Sequence, residues 1–226
     1  MDQKIALITG ANRGIGYEAA KQLVALGYKV IIAARNNAAR EKVAAIGADF
    51  LQLDVTSETS IQQAALTVID KYPQLDVLVN NAGVCDDDNK SVFQLTKKIF
   101  NRSFDTNFFG PLMLTQALVP ALQKSKDARI INVSSDMACL TTGTYNSSAA
   151  YRLSKTALNS LTQLFSHELP PHIKINSMSP GWVKTDMGGE AAPRTVEQGA
   201  ETIVWLSTVE NIPTGKFWKD KQEIGW

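Results

Sequence analysis

Short apolar runs alternate along this chain with longer segments whose apolar residues recur every three or four positions. The first run, Ile5–Thr9, is apolar at consecutive positions, as in a parallel strand covered on both faces. A helical pattern follows through Ala19, Ala20, Leu23, Val24 and Leu26 and stops at Gly27. The alternation then repeats. Strands are expected over Lys29–Ala34, 50–53, 77–79, 129–135, 174–178 and Lys216–Lys219. Helices are expected over 57–72, in a segment reaching Asn107, over 112–122, and over 151–169 before Pro170-Pro171. A last helix starts at Thr195, with Gln198 completing a capping box, and runs to about residue 207. Strand and helix in strict alternation make an α/β chain with a parallel sheet. With no repeat, low-complexity stretch or linker, residues 1–226 read as one domain.

Two helices carry more specific expectations. Over 112–122 the pattern is apolar nearly all round, so that helix wants cover on two sides, and the sheet offers one. Over 151–169, Leu153, Ala157, Leu158, Leu161, Leu164 and Phe165 form an apolar face. Arg152, Thr156, Asn159, Gln163 and His167 form a polar one.

The bulk numbers narrow the partners. The chain has 226 residues and a formal net charge of +1, with no basic block. That argues against a nucleic-acid or membrane surface. No apolar run is long enough to cross a membrane, and the first strand begins too early to leave room for a signal peptide. Cys85 and Cys139 lie far apart, without a metal-like or C-x-x-C context, as expected of reduced thiols in a cytoplasmic protein.

Chemistry enters at the strand ends. Gly10-Ala11-Asn12-Arg13-Gly14-Ile15-Gly16 sits between a strand and a helix. There, glycines let the backbone approach a phosphate and the helix N-terminus offers N–H groups and partial positive charge. The second strand ends in Ala34-Arg35, with no acid for a ribose hydroxyl. Arg35 with Arg13 suits a 2′-phosphate, hence NADP(H). Tyr151 and Lys155, four apart on a helix, share one face. An ammonium beside a phenol lowers its pKa from about 10 and makes a proton donor for a carbonyl oxygen. Asp86-Asp87-Asp88 reads as a solvated loop, and both histidines as ordinary surface or helix-end residues.

In chain order these motifs resemble the classical short-chain dehydrogenase/reductase family. They are T-G-x-x-x-G-I-G over residues 9–16, Asp54-Val55, Asn80-Asn81-Ala82-Gly83, Asn107, Ser135, Tyr151 with Lys155, and Pro180-Gly181. Residues 180–189 and the ending Gly215-Lys216-Phe217-Trp218 are similar to carbonyl reductases of the sniffer type, without the long insertions some of them carry. The resemblance implies a single Rossmann-type doubly wound parallel sheet of about seven strands, with helices on both faces. It also implies a catalytic set of Asn107, Ser135, Tyr151 and Lys155.

By the same resemblance, Ser135 polarises a substrate carbonyl and Tyr151 protonates it. Lys155 tunes the tyrosine and reaches the nicotinamide ribose, and Asn107 supports a water that resupplies protons to Lys155. Gly10, Asn12, Arg13, Gly14, Ile15 and Gly16 cradle the phosphates, and Asp54 and Val55 flank the adenine. Asn81, Ala82 and Gly83 lie under its ribose, and Pro180, Gly181, Val183 and Thr185 hold the nicotinamide. Met137, Tyr145, Trp182 and Met187, with Ser135 and Tyr151, are the substrate-pocket candidates, and no metal is expected. The expected activity is NADPH-dependent reduction of small-molecule aldehydes or ketones. Its rivals are a 3-oxoacyl carrier-protein reductase and a dinucleotide-sensing module without turnover. A homodimer built from the 112–122 and 151–169 helices is expected, with a monomer as rival.

Overall fold

The computed structural model describes residues 3–87, 90–141 and 147–226. Seven strands run parallel: β1 (Ile5–Thr9), β2 (Lys29–Ala34), β3 (Asp49–Gln52), β4 (Val77–Asn80), β5 (Ala128–Val133), β6 (Ile173–Ser179) and β7 (Lys216–Lys219). The spatial order is β3-β2-β1-β4-β5-β6-β7. Among the described residues one more strand, β8 (Gln222–Ile224), pairs antiparallel with β7 at the sheet edge. The fold class expected from the resemblance is the one observed. The run Gln222–Ile224 holds a single apolar residue, too little for a periodic signal, and gains strand form by pairing with β7.

Seven helices are described around this sheet: α1 (Gly14–Ala25), α2 (Arg40–Ala45), α3 (Glu58–Lys71), α4 (Lys97–Phe104), α5 (Gly110–Leu122), α6 (Ala149–Glu168) and α7 (Val196–Thr208). The strands bury both faces. Leu7 points into one core with Leu78, Ile130 and, from α5, Leu114 and Leu118. Ile8 points into the other with Ile32, Val79 and, from α1 and α7, Leu23 and Ile203. Consecutive apolar strand residues are therefore what this sheet requires. Helix starts carry their own signals: Ser57 accepts from the N–H of Ser60, Thr96 from Ile99, and Thr195 with Gln198 forms the expected box.

Three expectations are revised. The chain does not break near Asn107. α4 runs into α5 through a π turn, Asp105–Phe109, so the two read helices are continuous. Such turns insert one extra residue into a helix and are frequent at functional sites. α5 is packed along one flank by α3 of the same chain, which supplies part of the second cover it needs. The buried face of α6 coincides only in part with the apolar one. Ser154, Lys155, Asn159 and Thr162 turn inward beside Leu158 and Leu161, while Leu153 and Leu164 are 48% and 59% exposed. Polar partners on the sheet explain this for Lys155 and Thr162, and Asn107 for Ser154, whereas the buried Asn159 amide makes no hydrogen bond among the described residues. Asn80 Nδ2 donates to Asn132 Oδ1 (2.8 Å), Asn132 Nδ2 to Thr162 Oγ1 (2.8 Å), and Thr162 meets the Ser177 hydroxyl (2.8 Å). That buried chain pins α6 on β4, β5 and β6, and a buried polar group left unpaired would cost about 1–3 kcal/mol.

Candidate active site

The strand order reverses between β1 and β4, and a crevice opens at their carboxyl ends, where ligands bind in sheets of this kind. Thr9, ending β1, ties the two together. Its hydroxyl accepts from the N–H groups of Asn81 and Ala82 (both 3.0 Å), and its carbonyl accepts from Asn81 Nδ2 (2.8 Å). Gly10 turns away with φ +63°, and a Cβ there would lie 2.9 Å from the Ala82 Cα, so only glycine lets the loops close up.

A cleft of about 510 Å³ occupies this crevice. The glycine loop, Arg35, Asp54, Val55, Asn81–Gly83, Tyr151, Lys155, Pro180, Thr185 and Met187 line it. The N-terminus of α1 points there without a side-chain cap and with no acid in its first turn, a fitting cradle for an anion such as a pyrophosphate. Arg35 is exposed at the rim, and Arg13 forms an ion pair with Asp186 across the mouth. Gly181, with φ +72°, and the buried Val183 stand just behind the lining.

α6 brings Tyr151 and Lys155 to the floor of the cleft. The Lys155 ammonium is 5.8 Å from the centre of the Tyr151 ring and donates to the Val133 carbonyl at 2.7 Å. Burial lowers its pKa from 10.5 to about 8, and the nearby Cys85 opposes this weakly. A Cβ on Gly83 would meet both Lys155 Nζ (3.5 Å) and Asn107 Oδ1 (3.4 Å), so all three crowd one spot.

Asn107, fully buried, holds this spot together. Its Nδ2 donates to the Val84 carbonyl (2.9 Å) and to Ser154 Oγ (3.0 Å), and its Oδ1 accepts from the Val84 N–H (2.9 Å). Four residues on, Pro111 has no N–H to offer the Asn107 carbonyl.

Ser135 follows β5, beside Ser134 of the lining. Its hydroxyl accepts from the Met137 N–H (3.2 Å), which leaves its proton for another acceptor. Trp182 and Met187 are exposed on the loop after β6, where the Trp182 indole donates to the Gly188 carbonyl (2.8 Å). Tyr145 lies outside the described residues.

Sequence reasoning misread one element. Asp86-Asp87-Asp88 is a loop in its described part, as read, and Asp86 is exposed, but Asp87 is not solvated. Asp86 pairs with Arg102 (2.7 Å), and Asp87 is fully buried at the start of α6. It also missed Ser179, whose Oγ accepts from the N–H groups of both Asp136 (3.0 Å) and Gly181 (3.2 Å). That one hydroxyl joins the Ser135 turn to the loop after β6. No local signal marks either residue, because the partners come from distant segments. Among the described residues no helix is long and apolar enough to cross a membrane.

Parallel sheet, glycine loop and a Tyr–Lys pair on one cleft are the features of a dinucleotide-dependent oxidoreductase. A family model described as short chain dehydrogenase matches residues 4–204, and the chain belongs to that family. It resembles the carbonyl reductases within it. The NADPH-bound carbonyl reductase from chicken fatty liver superposes with a TM-score of 0.90 at 32% identity, covering 100% of both chains. The (-)-isopiperitenone reductase of Mentha piperita is 31% identical over 97% of each chain. Carbonyl reductase 1 (NADPH) of Sus scrofa is 30% identical over 99% of this chain and 94% of its own.

Proposed function

We propose that this enzyme reduces aldehyde or ketone carbonyls to alcohols with NADPH. The observation that carries this reading is the cleft itself. It is lined by the glycine loop, Arg35, Tyr151 and Lys155 together, with the lysine buried against the tyrosine. The resemblance to NADPH-dependent carbonyl reductases supports the choice of cofactor and substrate class, and the exposed Arg35 supports a 2′-phosphate.

NADPH held in this cleft would supply the hydride for the carbonyl carbon, and the chain's own residues would orient the carbonyl and handle the proton. Ser135 donates its hydroxyl proton to the carbonyl oxygen, where negative charge grows. Tyr151 gives its phenolic proton to that oxygen. With a pKa of about 8, Lys155 stays mainly protonated at pH 7 and stabilises the phenolate left behind. The Asn107 amide is already committed to Val84 and Ser154. A water passing protons to Lys155 would therefore bond to the Asn107 main-chain oxygen rather than to its amide. Met187 lines the cleft, and with the exposed Trp182 of the same loop and Met137 next to the Ser135 turn it would give a substrate mouth an apolar character suited to hydrophobic carbonyls. In the same reading the enzyme works in the cytoplasm, with Cys85 and Cys139 as thiols.

Assembly as a homodimer through α5 and α6 belongs to this proposal. Exposed Leu153 and Leu164 on α6 and Phe109 before α5 support it. A light-scattering mass near the 24.7 kDa chain, unchanged on tenfold concentration, would count against the dimer.

The test of the chemistry is Tyr151→Phe. NADPH binding should survive while turnover falls by about 10²–10⁴-fold, the usual contribution of a general acid. A phenylalanine variant keeping more than about a tenth of the activity would overturn the mechanism.

A further inference from the structure

The catalytic helix lacks a cap of its own. Ser148, the residue before α6, has φ +58° and makes no side-chain cap bond to the helix. A helix start leaves its first N–H groups without intrahelical acceptors, and those of the second and third residues usually turn to the preceding side chain. In α6 these are Ala150 and Tyr151.

Their acceptor comes from elsewhere in the chain. The Asp87 carboxylate, fully buried, accepts from the Ala150 N–H at 2.7 Å and the Tyr151 N–H at 3.4 Å. A carboxylate suits this place, because charge-assisted bonds are strong and the helix start carries partial positive charge.

We propose that Asp87 is a positioning residue for the proton donor: its buried carboxylate, carried on the loop after β4, caps α6 and fixes Tyr151 against the cofactor loop. The proposal rests on Tyr151 being the general acid.

The loop that carries Asp87 is itself anchored. Asn107 grips Val84 by both its N–H and its carbonyl, and Asp86 pairs with Arg102 on α4. The other end of the Tyr151 peptide is tied to the same point. Ser154 Oγ donates to the Tyr151 carbonyl (2.7 Å) and accepts from Asn107 Nδ2 (3.0 Å). Tyr151 is thus held at its nitrogen by Asp87 and at its oxygen through Ser154. Both ties lead to the segment that continues from Asn81–Gly83. Positioning of this kind matters because a misplacement of about 1 Å can cost about 10²-fold in rate.

The experiment compares Asp87→Ala and Asp87→Asn with Tyr151→Phe, well below the unfolding temperature. It reads kcat, KM, the NADPH dissociation constant and the isotope effect from NADPH deuterated at the transferring carbon. Asp87→Ala should lower kcat by about 10- to 100-fold, leave NADPH binding within about threefold and raise the isotope effect as chemistry becomes slower. Asp87→Asn keeps one acceptor for Ala150 but turns an amide towards the Tyr151 N–H. It should fall between wild type and alanine in both kcat and isotope effect. If the alanine variant does not fold, the asparagine variant decides alone, with a lowered kcat and raised isotope effect expected. Wild-type kcat and isotope effect in Asp87→Asn would overturn the proposal, as would an alanine variant no worse than the asparagine one. An active Tyr151→Phe would instead overturn the reading of Tyr151. An inactive Tyr151→Phe beside unaffected Asp87 variants would remove only the positioning role.

Discussion

Lys155 Nζ donates to the main-chain oxygen of Val133 at 2.7 Å, inside a protein interior that leaves the lysine almost no contact with water. Val133 ends the strand that leads to Ser135, so one bond ties the ammonium to the backbone that carries the proposed carbonyl donor. The same burial pulls the lysine pKa down to about 8. The site therefore holds its charge only a little above neutral pH.

Carbonyl reduction should weaken as pH rises through about 8, where Lys155 loses its proton and the phenol loses its charged neighbour. The profile of kcat/KM, which reports the free enzyme, is the measurement. A flat profile from pH 7 to 9.5 would place the control of Tyr151 elsewhere.

The same shift affects stability. Between pH 8 and 10.5 the unfolded chain still binds the Lys155 proton and the folded chain has released it, so this group's contribution to stability rises with pH across that window. Its penalty is complete below pH 8. Lys155→Met should therefore change Tm more favourably at pH 7 than at pH 10, relative to wild type at each pH, while abolishing turnover. Calorimetry at the two pH values decides it, and equal shifts would contradict the burial cost.

Arg35→Ala should weaken NADPH by about 10-fold or more, the scale of one charge-assisted bond, and leave NADH within about twofold. Dissociation constants for both cofactors in both proteins test this. An equal effect on each would make Arg35 a bystander.

Asn132→Ala removes the middle of the buried chain from Asn80 to Ser177 and leaves its neighbours unpaired. A loss of about 1–3 kcal/mol in denaturant unfolding is expected. A change within the error of the method would mean that water replaces the missing amide.

The C-terminal residues cover Cys139. Trp226 stacks on the buried Phe217 with ring centres 5.5 Å apart, and the Cys139 thiol donates to the carbonyls of Gly225 (3.7 Å) and Trp226 (3.3 Å). Trp226→Ala should speed alkylation of Cys139 several-fold, followed by mass spectrometry. An unchanged rate would show that the thiol is shielded by other parts of the fold.

What the amino-acid order determined here is whatever neighbours in the chain can enforce on each other. Consecutive apolar residues marked β1 and β2 to the residue, Thr195 with Gln198 marked the start of α7, and the glycine loop and Tyr151/Lys155 spacing marked the cleft. Only the tertiary structure decided what depends on segments brought together by folding. Asn107 sits in a π turn rather than a break, and α6 turns Thr162 inward because Asn132 and Ser177 wait on the sheet. A tract read as solvated acids sends Asp87 into the interior, since a helix beginning more than sixty residues later needs an acceptor for its first N–H groups. Periodicity cannot register such demands. They arise from unpaired polar groups that become neighbours only once the sheet has formed.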